Sequence, residues 1–216
     1  ENIKVGNSLI DDPNIAGNRS FKWNEEFKDV IASGGFDVVI GNPPYVRIQI
    51  LDKNQVDYFN RQYESPTKNY DIYILFIEKG FKLLKRGGSL GLILPHKFFQ
   101  GENGKKLREY LYKNKAVEKI VDFTTNQIFD NAATYTCLFF LSKKENEQFF
   151  YKRLELGSNY KILNGLTFEE RKEEELKKEQ WSFSNNKSQD ILNKLEKMNN
   201  KFTDLTEKIF KGSSTG

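Results

Sequence analysis

The run Phe36-Asp37-Val38-Val39-Ile40, followed by Gly41-Asn42-Pro43-Pro44-Tyr45, limits how this chain can fold more than any other stretch. A nearly continuous apolar run is what a strand covered on both faces of a parallel sheet requires. Two consecutive prolines remove two ladder donors and fix two φ angles, so no central strand continues through them. The strand must end near Gly41, and a rigid turn must begin. Ser89 to Leu94 and Val117 to Phe123 read as further buried strands, and Thr134 to Leu141 as a strongly β-forming run. Helical patterns over Tyr70–Lys85 and Glu102–Lys113 separate the first three of these strands. Nothing helical separates the last two, which are expected to be antiparallel neighbours. The fold expected is α/β: an open, twisted sheet, mostly parallel with an antiparallel last strand.

Around that frame, Ile3–Val5 reads as a short strand and Asn24–Ala32 as a helix closed by Gly34-Gly35. Lys53–Asn60 reads as another helix, and Arg86-Gly87-Gly88 as the end of the long one before it. Past Ser142 the pattern changes. Gln148–Leu156 reads as a strand, and Thr167-x-x-Glu170 as a capping box opening a charged helix to about Glu179. Ile191, Leu192, Leu195 and Met198 share a face of a further helix, and Phe202, Leu205 and Ile209 continue the pattern. Two domains are expected: a catalytic part over 1–145, and a mainly helical extension over 146–216.

Composition narrows the partners. Lys and Arg total 34 against 30 Asp and Glu, a net charge of +4, so charge permits a nucleic-acid partner without demanding one. No apolar run reaches the roughly 18 residues of a membrane-spanning helix. The single cysteine, Cys137, excludes an intrachain disulfide and a cysteine zinc site. No metal centre and a cytoplasmic location are therefore expected. The chain opens on Glu1 and not on Met, directly before a strand-like run, which reads as a piece of a longer protein.

Ligands of open α/β sheets bind outside the carboxyl ends of strands, which puts Asn42 to Tyr45 in the expected crevice. Their chemistry suits one task. The exocyclic amine of adenine or cytosine, or the amide of Gln, is a poor nucleophile because its lone pair is delocalised. Two acceptors gripping its two N–H bonds favour a pyramidal nitrogen and release that lone pair. The Asn42 side-chain oxygen can be one acceptor and the Pro43 carbonyl the other, on a backbone that Pro43 and Pro44 hold nearly fixed. Tyr45 offers a flat face for a planar substrate. Arg47, Lys53, Arg61 and Lys68, in the segment that follows, can reach phosphates. His96 lacks any nucleophile in an elbow beside it and reads as structural. The Glu169–Glu179 run reads as a solvated helix face.

FDVVIGNPPYVR, followed by NYDIYILFIEKGFKLLKRGGSLGLILP, resembles the adenine-N6 DNA methyltransferases of type II restriction–modification systems, over about residues 3–142. The resemblance implies a Rossmann-like, S-adenosylmethionine-dependent methyltransferase sheet of bacterial or archaeal origin. It implies that Asn42 and Pro43, with Pro44, hold the amino group of a flipped adenine while Tyr45 stacks on the base. Phe129, in the loop before the last strand, would take the other face of the adenine. Phe76 matches a position near the cofactor, and Asn7 stands where relatives often carry an Asp toward the cofactor's adenine. Double-stranded DNA is the implied partner, with a restriction endonuclease fused or separate. One departure matters: no Gly-rich cofactor turn follows a strand. It is expected upstream of Glu1, so the sheet is incomplete and the segment alone inactive. NPPY-like loops also occur in protein-glutamine and RNA-adenine methyltransferases, and a degenerate, non-catalytic specificity module is a further alternative. The residues beyond the sheet favour DNA, since in the family they lead into a target-recognition domain.

Overall fold

A computed structural model describes residues 3–124, 128, 135–154, 165–183, 194, 195 and 197. The chain divides into Glu1–Trp181 and Ser182–Gly216, and all the elements named here belong to the first unit. Three short helices, α1 (Pro13–Ala16), α2 (Trp23–Glu26) and α3 (Lys28–Ala32), lead to β1 (Phe36–Gly41). Then come α4 (Lys53–Gln62), α5 (Tyr73–Leu83), β2 (Leu84–Pro95), α6 (Lys105–Lys113) and β3 (Val117–Asp122). The sheet is finished by β4 (Thr136–Ser142), β5 (Gln148–Arg153) and β6 (Glu169–Lys172). Its order is β1-β2-β4-β3-β5-β6. The strands β1, β2, β3 and β5 run one way and β4 and β6 the other. As expected from the missing helix, β4 is antiparallel to β3, and it sits between β3 and β2.

One face of this sheet is packed. Leu90, Leu92 and Leu94 lie opposite Leu141, Phe139 and Cys137, and all six are buried. Burying each large side chain here is worth about 1.5–3 kcal/mol. Helix α5 packs on β2 and β1, and Gly80 permits the approach: a Cβ there would stand 2.9 Å from Leu90 Cδ1. The chain after β6 returns to the same core. Trp181 is buried against Phe98, Phe99 and Phe139, with its backbone N–H donating to the Phe99 carbonyl at 2.7 Å.

The other face differs from expectation. β1 does not have both faces covered: Val38 is 62% and Ile40 81% exposed. It is an end strand of the sheet, and no described element lies over that side. On β2, Ser89, Gly91 and Ile93 are likewise half-open between buried neighbours. A strand composed for two-sided burial therefore presents one bare apolar side.

Other expectations are corrected. Ile3–Val5 forms no strand and pairs with none among the described residues, and Val5 is open to solvent. The helix expected over Asn24–Ala32 breaks at Phe27, whose φ of −127° and ψ of 46° leave helical space. The long helix ends at Leu83, not at Arg86-Gly87-Gly88, which lies inside β2. Gly88 is required there, because a Cβ would meet the Phe36 carbonyl oxygen at 2.7 Å. No helix opens at Thr167: cross-strand pairing with β5 overrides the capping-box pattern, and the charged stretch is β6 and a 3-10 turn, Glu173–Lys177. Glu173, read as part of a solvated face, is buried, and burial pushes its carboxyl up. The sheet thus continues past residue 145, through β5 and β6. The further helices expected over 191–209 lie almost wholly outside the described residues. Among the described residues, no helix is long and apolar enough to cross a membrane.

One buried carboxylate secures the loop that follows α4. Glu78 of α5 is fully buried, accepts from the backbone N–H groups of Glu64 and Ser65, and pairs with Lys82 at 2.5 Å. Glu78→Ala leaves two backbone donors unpaired at about 1–3 kcal/mol each. Urea denaturation should therefore show a loss on the order of 3 kcal/mol. A loss below roughly 1 kcal/mol would mean the loop is held by other contacts.

Candidate active site

Register places the Asn-Pro-Pro-Tyr turn. Ile40 lies beside Gly91 and Gly41 beside Leu92, so Asn42 leaves the sheet at its carboxyl edge next to the end of β2. Pro43 is buried, while Asn42 and Pro44 are exposed. The Asn42 side-chain amide makes no hydrogen bond with any described residue, so its oxygen is unspent. Tyr45 is half-buried. Its hydroxyl donates to the Ile93 carbonyl at 3.2 Å, and its ring meets Tyr73 edge-on at 6.3 Å. Burial pushes the Tyr45 phenol up to about 12, which keeps it a donor at neutral pH. The next residues are pinned to the segment before α5: Ile48 N–H donates to the Tyr70 carbonyl at 3.1 Å and Ile72 N–H to Val46 at 2.8 Å. The hydroxyls of Tyr73, which meets that ring, and of Tyr70 are buried with no hydrogen-bond partner among the described residues.

The remaining sequence candidates are scattered. Phe76 sits on α5, half-buried. The Asn7 side-chain oxygen accepts from Leu9 N–H at 3.2 Å, closing a local turn, which leaves its amide N–H₂ free to donate. Arg47 is exposed and its backbone bridges Asp71. Lys53 is exposed at the start of α4, where Asp52 caps the helix through Asn54 N–H at 2.8 Å. Arg61 is exposed, and Lys68 pairs with Glu102 at 2.9 Å. Phe129 lies outside the described residues.

Sequence reasoning missed a charged network on the same edge. Asp122, at the end of β3, is buried and accepts from His96 Nδ1 at 2.9 Å, Thr124 N–H at 2.7 Å and Tyr151 Oη at 2.9 Å. Burial is the largest single influence on its carboxyl and pushes it up. The three donors together outweigh burial and hold it below the usual carboxylate range. Thr124 adopts a φ of +52°, uncommon for a β-branched residue, and its hydroxyl donates to the Leu154 carbonyl at 3.1 Å. No local pattern announces this cluster, because its members come from the turn after β2, the end of β3 and β5.

The sequence model described as "Eco57I restriction-modification methylase" matches residues 1–129. Over 155 residues the chain is 39% identical to the type II restriction enzyme and methyltransferase RM.Eco57I of Escherichia coli, a match covering 70% of this chain and 15% of that protein. It is 32% identical over 124 residues to the type II methyltransferase M.BstVI of Geobacillus stearothermophilus, covering 57% of this chain and 22% of that one. The chain thus spans less than a quarter of each of these relatives. Among solved structures, the DrdV–DNA complex superposes with a TM-score of 0.52 at 16% identity, over 76% of this chain and 20% of that one. A nuclease-deletion form of the Type ISP restriction-modification enzyme LlaGI superposes at 0.51 and 16% identity, over 79% and 20%. At these identities the structural likeness shows the fold.

Because the Asp122 carboxyl is held below its ordinary value of 3.8, its contribution to stability is complete above about pH 5 and is lost as pH falls through the folded-state value. The stability advantage of the wild-type chain over Asp122→Asn should shrink as pH falls below about 4. An advantage that persists unchanged through that acid range would contradict the three-donor account.

Proposed function

The chain belongs to the Eco57I restriction-modification methylase family, and on that footing we propose that it transfers a methyl group from S-adenosylmethionine to the N6 amino group of adenine in DNA. The observation that carries this reading is the exposed, unspent Asn42 amide on a proline-fixed turn at the carboxyl edge of the sheet. Asn42 Oδ1 and the Pro43 carbonyl would take the two N–H bonds of the adenine amine, leaving its lone pair free to attack in line. No base needs to act first, since a proton can leave after transfer. An adenine inside a duplex cannot reach this turn, so the base must rotate out of the helix. The Tyr45 ring supplies a stacking face, Phe129 is proposed for the opposite face, and Arg47 and Lys53 for the DNA backbone.

S-adenosylmethionine, when bound, supplies an electrophilic methyl group on a sulfonium sulfur. The fit of the residues present is partial: Phe76 offers a half-exposed ring and Asn7 a free amide donor. The bare side of β1 and β2, with Val38, Ile40 and Ile93, is suited to receive the rest of a methyltransferase sheet and its helices. The greater length of the relatives supports that arrangement. The reaction would take place on DNA in a bacterial or archaeal cytoplasm, with an endonuclease on the same or another chain.

In the full-length gene product, Asn42→Ala should lower adenine methylation by at least about 100-fold. Its melting curve should move little, because Asn42 is exposed and unpaired, a class of change usually within about 0.5 kcal/mol. Methylation at the wild-type rate would sink the role of Asn42. Methylation of RNA or of protein glutamine in place of DNA would redirect the substrate. Tyr45→Ala should weaken binding of DNA carrying an extruded adenine by on the order of 1–3 kcal/mol. Tyr45→Phe, which loses only the Ile93 bond, should bind nearly as wild type.

A further inference from the structure

The turn after β2 carries two adjacent bases, His96 and Lys97, and each is tied from behind by a buried acid on a different element. Lys97 Nζ pairs with Asp71, just before α5, and His96 Nδ1 with Asp122 at the end of β3. The acids are sealed: their side chains are 5% and 12% exposed. The bases are not: half of Lys97 and a quarter of His96 face solvent. An ordinary surface ion pair has both partners solvated and contributes little. Burying a carboxylate carries a desolvation cost that a well-packed apolar residue would avoid, so stability alone does not account for two of them. What the arrangement does provide is orientation. Each carboxylate anchors one side of a basic side chain whose remainder faces solvent.

The location is specific. Tyr45 Oη bonds the Ile93 carbonyl, three residues before His96, so both bases stand beside the turn that holds Asn42 and Tyr45. The turn is itself braced. Arg108 of α6, 2% exposed, donates from one guanidinium nitrogen to the Phe98 carbonyl at 2.5 Å and to Gly101 at 2.9 Å. Trp181 seals Phe98 and Phe99 from outside. A Lys ammonium has three donors, so Lys97 keeps two after meeting Asp71. His96 spends Nδ1 on Asp122 and keeps Nε2, a donor whenever the ring is imidazolium.

We infer that His96 and Lys97 form a preset clamp on a phosphate of the strand whose base is rotated out, with Asp122 and Asp71 as positioning residues behind them. The inference rests on the DNA reading proposed above. Rotating a nucleotide about its backbone requires the flanking phosphates to be held while the base moves, and contacts of this kind set register without reading sequence.

The test measures salt dependence on the full-length gene product, with a duplex oligonucleotide carrying one mismatched adenine. Lys97→Gln should reduce the slope of log affinity against log salt by about one and weaken binding evenly across sequences. Lys97→Gln combined with Asp71→Asn, which leaves no orphaned buried charge, should show the same slope at an unchanged melting temperature. His96→Gln added to that pair should lower affinity further. Lys113→Gln removes the same charge at the opposite edge of the sheet and should leave the slope alone. A wild-type slope in the Lys97 and Asp71 double variant overturns the clamp while leaving DNA binding in place. A wild-type product that does not bind the duplex at all removes the clamp and the DNA reading together.

Discussion

The parallel pairing of β1 with β2 governs everything on the carboxyl edge. Because Gly41 lies beside Leu92, Asn42 emerges level with Ile93, whose carbonyl is then in reach of the Tyr45 hydroxyl. A slip of one residue would turn Val39 from the packed face toward the bare one and detach Tyr45 from β2. Two features hold the register. Gly88 lets the Phe36 carbonyl come close at the start of the pairing, where the register is already irregular. Gly80 lets α5 press on Leu90, beside Val39 in the ladder. The site is therefore only as exact as the packing of two glycines some distance behind it.

From that edge, order spreads through buried acids. Glu78 ties the loop after α4 to α5, Asp71 ties the start of α5 to the turn after β2, and Asp122 ties that turn to β3 and β5. Each joins a loop or turn to an element outside its own part of the chain. A sheet fixes strands along their length but leaves the loops at its ends free, and function is concentrated in those loops. Carboxylates accepting from backbone N–H groups and from Lys, His or Tyr convert loose ends into a defined rim.

Much of this was legible in the chain. Continuous apolar runs gave β1, β2 and β3, the missing helix gave the antiparallel β4, and the double proline gave the turn, because each depends on local steric or periodic rules. The acids were not legible. Asp71, Glu78 and Asp122 look like any other charged residue until distant elements surround them. The failure at Thr167 has the same origin: a capping pattern is a weak local preference, and pairing of Phe149 with Arg171 and of Phe150 with Glu170 in β5 and β6 outweighs it. Asn7 is a candidate ligand whose oxygen also closes its own turn by accepting from Leu9 N–H, with a second lone pair left.

β1 departs from its sequence pattern in an instructive way. Its composition demands cover on both faces, yet Val38 and Ile40 are open. Single exposed apolar residues need no explanation, but two on one strand, beside the half-open Ile93, make a continuous apolar strip on an end strand. A monomeric sheet would normally blunt such a strand with charge or a bulge; here the one charge, Asp37, pairs with Lys85 and the register irregularity lies at the start of the strand, before Val38 and Ile40. The composition is therefore that of an interior strand. The relatives are several times longer than the matched region, and in an open α/β sheet the ligand crevice lies outside the carboxyl ends of the strands, the edge on which this end strand delivers Asn42 and Tyr45.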